Sequence, residues 1–311
     1  MINFNRRLQQ KISEKRLTIC IAAICDEIEG LYPKIVFAAD RLISAGIQFE
    51  HGKSKIERIT DSTWVMMASN DSLKSDMIIK DTITEIADSN ISVKEIVSVL
   101  SKQCEKMEKS EREKGVLSKF GLSYDTLIEK SRHMSQDFIR IVTAELEDYV
   151  SVFEANFIIF GLDPQPHIYI VEKDGNFKLH DFVGFAVIGS GYPLAFADMT
   201  KYVYHPSLSL AAALVRVYNA KKAAERIGGV GREFTDLYVL HTIEEKGKKE
   251  QVIWKVPEEL MKILDAGIQT MKDKEFGTYV GIMKKIDEYF AKSIEKGKQE
   301  YSDQTKENLS S

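Results

Sequence analysis

Apolar and polar positions follow two different spacings along the chain, and the changes of spacing predict the order of strands and helices. Two continuous apolar runs, Thr18–Cys25 and Lys34–Asp40, flank turn residues at 26–33, so we expect a hairpin that is buried on both faces. Two further strands are predicted at Lys55–Ile59 and Thr63–Ala68. The first quarter of the chain is therefore predicted to form an antiparallel meander.

The spacing then changes from two residues to the 3.6-residue period of a helix. A first helix is predicted from its apolar positions, Met77, Ile78, Ile83 and Ile86. A second helix is predicted to begin at Ser92, because serine is a favoured N-cap residue. The charged residues 110–150 continue the helical spacing, and we expect these helices to cover a sheet.

The second half of the chain repeats the change from strands to helices. Strands are predicted at Asn156–Leu162, His167–Glu172, Asn176–Asp181 and Phe185–Ile188, which we expect to form a second antiparallel set. A helix is predicted at Ser209–Arg226, before the stop signal Gly228-Gly229. Closing strands at Leu237–Thr242 and Gln251–Lys255 precede amphipathic helical sequence over 257–298.

This order of elements predicts an α+β fold. Strands, two helices, strands and helices form a four-layer αββα sandwich when two antiparallel sheets face each other and helices cover the outside. Extra helices are expected at 110–150 and at the C-terminus. The predicted organisation is a leader or propeptide at 1–17, a domain at 18–255, a helical extension at 256–298 and a flexible tail at 299–311.

Composition excludes several classes of function. The 311 residues include 43 basic and 47 acidic side chains, and this balance argues against a dedicated nucleic-acid binder. The sequence has neither a secretory signal nor an apolar run of about 18 residues, so we expect a cytoplasmic protein without a membrane segment. The three cysteines and six histidines show no zinc-site spacing, and no metal or other cofactor is expected.

Four short motifs carry more specific chemistry. Ala38-Ala39-Asp40-Arg41 is followed by Gly46, and Lys55 opens the next predicted strand. Phe160-Gly161-Leu162-Asp163 ends a later strand, and Gly189-Ser190-Gly191 follows the strand at Phe185–Ile188. In this order the motifs resemble those of the proteasome β-subunit and its relatives, which are N-terminal-nucleophile (Ntn) hydrolases with the αββα fold. The resemblance covers residues 18–255.

The resemblance implies a threonine-type mechanism. In that family a threonine becomes the first residue by self-cleavage, and its hydroxyl then attacks a peptide carbonyl. Carried over to this chain, the nucleophile is Thr18, its charged supports are Asp40 and Lys55, and Ser190 is a supporting hydroxyl. The backbone N–H of Ser69 is the implied oxyanion donor. Simpler interpretations remain open: Asp40 and Lys55 as a structural ion pair, Thr18 as a strand residue, and Ser190 as a helix cap.

Two departures from the family pattern leave two functions open. Leu17 precedes Thr18 where the family has glycine, and Glu225–Val230 replaces the family's Asp-Ser-x-Ser-Gly-Gly loop. The first function is a threonine-type hydrolase, a peptidase acting on peptides or unfolded proteins. The second is a non-catalytic proteasome-like subunit that acts through ring or complex assembly. Both imply a ring-forming homo-oligomer.

Overall fold

The computed structural model describes residues 18–26, 32–44, 48–50, 54–86, 91–151, 153–227, 230–232, 234–245 and 248–278. Within these residues the predicted α+β sandwich is confirmed, since two five-stranded antiparallel sheets pack with helices. The predicted leader, the tail and the last part of the C-terminal extension lie outside the described residues. Residues up to Val256 form one compact unit, and those from Pro257 form a second.

The strands in chain order are β1 (Cys20–Cys25), β2 (Lys34–Asp40), β3 (Leu42–Ser44), β4 (Gln48–Glu50), β5 (Ile56–Arg58), β6 (Thr63–Ser69), β7 (Ala155–Asp163), β8 (Gln165–Glu172), β9 (Phe177–Leu179), β10 (Phe185–Ile188), β11 (Thr235–Glu245) and β12 (Lys248–Lys255). The first sheet has the order β10-β1-β2-β11-β12, and the second has the order β5-β6-β7-β8-β9. Among the described residues, β3 and β4 form a separate antiparallel pair, which the spacing of apolar residues did not predict.

The helices in chain order are α1 (Ser72–Glu85), α2 (Val93–Gly115), α3 (Tyr124–Lys130), α4 (Gln136–Asp148), α5 (Tyr192–Thr200) and α6 (Leu210–Ala224). Residues 258–278 are also helical. Helices α1 and α2 pack on the second sheet, and α5 and α6 pack on the first. None of the helices in the described part of the chain is long and apolar enough to cross a membrane.

The first hairpin is confirmed, but the predicted meander is wrong. Cys20 lies opposite Ala39 in an antiparallel β1–β2 pair. Strands β5 and β6 belong to the other sheet, so the chain crosses between the sheets after Asp40. The second predicted set is divided as well, because β10 pairs with β1. Apolar runs show that strands are buried on both faces, but they do not show which strands are neighbours.

The predicted helices are present, although their buried faces differ in part. Ser92 caps α2 in a capping box with Glu95, as the sequence indicates. Met77 and Ile83 of α1 are 55% and 38% exposed, whereas Ile78 is buried as predicted. The region 110–150 contains the end of α2, two 3₁₀ turns, α3 and α4, and α4 buries only Val142 fully.

The core between the two sheets fixes how they face each other. Its side chains come from both sheets and include Phe37 of β2 and Phe160 of β7, whose ring centroids are 4.6 Å apart. Both rings are completely buried. This contact between β2 and β7 is therefore part of the packing that holds the two sheets face to face.

Replacing Phe160 by alanine should lower the free energy of unfolding by about 3–5 kcal/mol, because it leaves a cavity between the sheets. Phe177→Ala is the matched control, since this ring on β9 is 43% exposed. The control should cost less than about 1 kcal/mol. Urea unfolding followed by circular dichroism measures both. Equal losses in the two variants would contradict the assignment of this core.

Candidate active site

Four of the five predicted site residues meet at one end of the two sheets. Thr18 lies two residues before the start of β1, and Asp40 is the last residue of β2. Lys55 lies just before β5 in the other sheet, and Ser190 follows β10. The β1–β2 register brings Thr18 next to Asp40, and the β1–β10 register brings it next to Ser190.

The side chains of Thr18, Asp40 and Lys55 form a closed hydrogen-bonded triangle. Thr18 Oγ1 donates to Asp40 Oδ1 at 2.8 Å, and Lys55 Nζ donates to the same oxygen at 2.7 Å. Lys55 Nζ also donates to Thr18 Oγ1. All three residues are buried, with exposures of 6% for Thr18, 0% for Asp40 and 8% for Lys55. The threonine oxygen is thus in direct contact with an ammonium ion in a largely water-free environment.

Backbone groups hold the Asp40 carboxylate in place. Ile19 N donates to Oδ1 at 3.0 Å, and Gly231 N donates to Oδ2 at 3.1 Å. Hydrogen bonds from N–H groups to both carboxylate oxygens restrict the rotation of the carboxylate. Asp40 is therefore fixed where it pairs with Lys55 and positions it against the Thr18 hydroxyl.

The turn Gly189-Ser190-Gly191 holds the backbone of Thr18. Thr18 N donates to Ser190 Oγ at 2.9 Å, and Gly191 N donates to Thr18 O at 3.1 Å. The alternative interpretation of Ser190 as a helix cap is wrong, because Gly191 is the N-cap of α5 and no side chain caps that helix. The spacing of apolar residues did not predict α5, but the resemblance implied a helix after Gly189-Ser190-Gly191, and α5 lies there.

Ser69 lies at the end of β6 with its backbone N–H on the side of β5. Met67 N donates across to Lys55 O, and N–H groups two residues apart in a strand point the same way. Asn70 N accordingly points to the other side, where it donates to Glu154 O. The Ser69 N–H is therefore directed toward the edge that carries Lys55, as an oxyanion donor would need to be. Its role remains a prediction.

Cys20 is another nucleophilic side chain close to this triangle. Its thiol donates to Met67 O at 3.4 Å. Burial raises the pKa of the thiol to about 12; the nearby Lys55 ammonium opposes this shift, and Asp40 adds to it. A thiol with this pKa is almost entirely protonated near neutral pH, so Cys20 is a poor nucleophile. The geometry favours the hydroxyl of Thr18 over this thiol.

Two residues that support the Asp40 carboxylate, Gly231 and Lys221, were not predicted from the sequence. Gly231 contributes only a backbone N–H, which no sequence pattern reveals. Lys221 is different, because it follows Leu214 and Val217 at helical spacing on the buried face of α6. A lysine on this apolar face, with Glu225 four residues later, was a usable signal of an internal ion pair.

Comparisons with known proteins leave the family assignment open. No protein-family model matches the sequence, and the curated proteins contain no significant match. Among the described residues, histidine, cysteine, aspartate and glutamate side chains form no cluster that could hold a metal ion. The catalytic roles of Thr18, Asp40 and Lys55 therefore remain predictions, based on the four motifs and on this geometry.

Gly189→Ala should destabilise the protein and displace Thr18. Gly189 has a φ of +102°, and a Cβ there would lie 2.3 Å from Thr18 O. We expect a loss of about 2–3 kcal/mol in the free energy of unfolding. Gly121→Ala is the control, since its φ is +69° but nothing lies within 4 Å of the added Cβ.

The control should cost only about 1 kcal/mol, the strain of the left-handed backbone alone. Urea denaturation of the two variants and the parent measures the difference. If Gly189→Ala is no worse than Gly121→Ala, the close contact between this turn and Thr18 is not real.

Proposed function

We propose that this chain is a threonine-type hydrolase, acting as a peptidase, with Thr18 Oγ1 as the nucleophile. The observation that carries the proposal is the buried contact of this hydroxyl with both Lys55 and Asp40. A purely structural ion pair would need only the two charged groups. Here a hydroxyl group contacts both partners of the ion pair, since Thr18 Oγ1 donates to Asp40 Oδ1 and accepts from Lys55 Nζ. An alkoxide at this position would be stabilised by the ammonium charge.

In the proposed reaction, each group around the Thr18 hydroxyl has one role. The Thr18 hydroxyl loses its proton to the α-amine of the same residue, directly or through a water, and its oxygen forms a bond to the substrate carbonyl carbon. The carbonyl π electrons move to the oxygen, which the Ser69 N–H stabilises. Lys55 stabilises the developing alkoxide, and Asp40 keeps Lys55 charged. Collapse of the intermediate breaks the C–N bond, the leaving amine takes the proton from the α-amine, and the acyl group stays on Thr18 Oγ1 as an ester. A water molecule that loses a proton to the α-amine then attacks this ester, the C–O bond to Thr18 breaks, and the proton returns to Thr18 Oγ1.

This mechanism requires a free amine on Thr18, so the bond to Leu17 must first be cleaved. Thr18 Oγ1 would attack the Leu17 carbonyl carbon and lose its proton to a water, and the C–N bond would break as the Thr18 nitrogen takes up a proton. Water would then hydrolyse the resulting ester and restore the Thr18 hydroxyl. Ser190 Oγ accepts a hydrogen bond from Thr18 N at 2.9 Å. The same hydroxyl would orient the amine that cleavage releases, since an amine also has an N–H to donate.

Leu17 favours one alternative function, a proteasome-like subunit that acts through assembly without cleaving itself. A branched side chain at this position crowds the carbonyl that Thr18 Oγ1 must attack, where the resembling family has glycine. In such a subunit Lys55 and Asp40 would form a structural ion pair. The two functions differ in the mass of the mature chain and in the reactivity of Thr18.

Native mass spectrometry of the purified protein should show chains lighter by residues 1–17, because the peptidase needs Thr18 at the N-terminus. The same spectrum gives the number of chains in the complex. Thr18→Val is the control, since it removes the hydroxyl at nearly constant volume and should leave the chain intact. An intact parent chain in a ring-sized complex would instead support the assembly function.

Lys55→Met should lower kcat/KM on fluorogenic peptides by roughly 10³-fold, because it removes the charge that stabilises the alkoxide. Lys34→Met is the matched control: Lys34 also stands at the start of a strand and pairs with Asp26 at 2.6 Å, outside the site. The control should keep nearly full activity. Circular dichroism checks that both variants are folded. Retained activity in folded Lys55→Met would overturn the proposed mechanism.

A further inference from the structure

A second buried lysine lies behind the candidate site. Lys221 is in the last turn of α6, and its side chain is fully buried. Lysine is rarely buried completely, because removing its ammonium group from water costs several kcal/mol unless partners compensate. Burial lowers the pKa of Lys221, and the neighbouring Glu225 carboxylate opposes the shift. An apolar side chain would fill the same space without this cost, so the charge calls for another explanation.

Lys221 joins the end of α6 to the segment that follows it. Its Nζ forms an ion pair with Glu225 Oε1 and donates to Gly231 O at 3.0 Å. Glu225 is the C-cap residue of α6, and Gly231 lies six residues further along the chain. The ammonium group therefore fixes Gly231 relative to the helix.

Gly231 in turn holds the carboxylate of Asp40. Its N–H donates to Oδ2 at 3.1 Å, on the oxygen opposite the one that contacts Thr18 and Lys55. Lys221 thus binds the carbonyl of Gly231, and the amide of the same residue binds Asp40. The path from the helix to the triangle consists of two hydrogen bonds with buried partners.

We propose that Lys221 is a positioning residue of this site, which orients the Asp40 carboxylate through the backbone of Gly231. The inference rests on the proposed function, because it assigns a support to the same reaction. Without the Lys221 ammonium, Gly231 loses the donor that fixes its carbonyl, and Asp40 Oδ2 is held less firmly. Rotation of this carboxylate would move Lys55 away from the Thr18 hydroxyl.

The test measures how fast Thr18 is acylated by a peptide β-lactone, an electrophile that reacts with activated hydroxyls. Lys221→Met should lower kinact by on the order of 10–100-fold, since small misplacements of reacting groups have effects of this size. KI should change less than about twofold, because Lys221 does not contact the proposed nucleophile. Lys222→Met is the matched control: this neighbour pairs with the same Glu225 at 3.3 Å but is partly exposed. The control should keep the parent kinact.

A double variant separates positioning from stability. Lys221→Met alone leaves the Glu225 carboxylate with less compensation and should lower Tm. Lys221→Met/Glu225→Leu removes both charges and should recover most of the lost Tm, while kinact stays low because Gly231 O still lacks its donor. If kinact recovers together with Tm in the double variant, the role of Lys221 is structural and the inference is overturned.

The outcomes also distinguish this inference from the proposed function. If the parent protein forms no adduct on Thr18, the proposed function fails and the inference fails with it. If the parent is acylated and Lys221→Met is acylated at the same rate, only the inference is overturned. A low kinact in both Lys221 variants, with unchanged KI and a normal Lys222→Met control, supports it.

Discussion

The buried carboxylate of Asp40 is the constraint around which this end of the molecule is arranged. An ionised group without solvent exposure needs surrounding donors, since an uncompensated charge in the interior would cost more than a domain's whole stability margin. Its donors include a hydroxyl, an ammonium group and two backbone amides. These donors come from separate parts of the chain. The candidate site is therefore assembled as this region folds. A substitution that destabilises the fold here should also disturb the geometry of the site.

The two facing sheets make this convergence possible. Asp40 ends a strand of the first sheet, and Lys55 precedes a strand of the second. Facing sheets are separated by about 10 Å, and the long flexible stem of a lysine spans part of that gap while its head stays charged. The two sheets are packed against each other through a shared core that includes the rings of Phe37 and Phe160. The position of the ammonium group thus depends on packing in a core that takes no part in the chemistry.

The spacing of apolar residues was sufficient to predict the layered fold. The short motifs were sufficient to predict that Thr18, Asp40 and Lys55 lie together. The apolar runs of β1 and β2 gave the correct hairpin, and Ser92 gave the correct helix start. The neighbours of each strand could not be predicted, because the pattern of apolar and polar residues in β5 does not indicate to which sheet the strand belongs. The hydrogen bond from the backbone N–H of Gly231 to Asp40 could not be predicted either, since every residue except proline carries this donor. Lys221 was visible as a lysine on an apolar helix face, and only its partner Gly231 was hidden.

The hydrogen bonds to the backbone of Thr18 bear on how such a site would be activated. Ser190 and Gly191 hold the nitrogen and the carbonyl oxygen of Thr18 through hydrogen bonds that do not involve Leu17. Scission of the preceding bond would then convert an amide nitrogen, which has no basicity, into an amine at the same place. If the proposed function holds, activation would change the protonation chemistry of this nitrogen, while the hydrogen bonds that position Thr18 stay as they are.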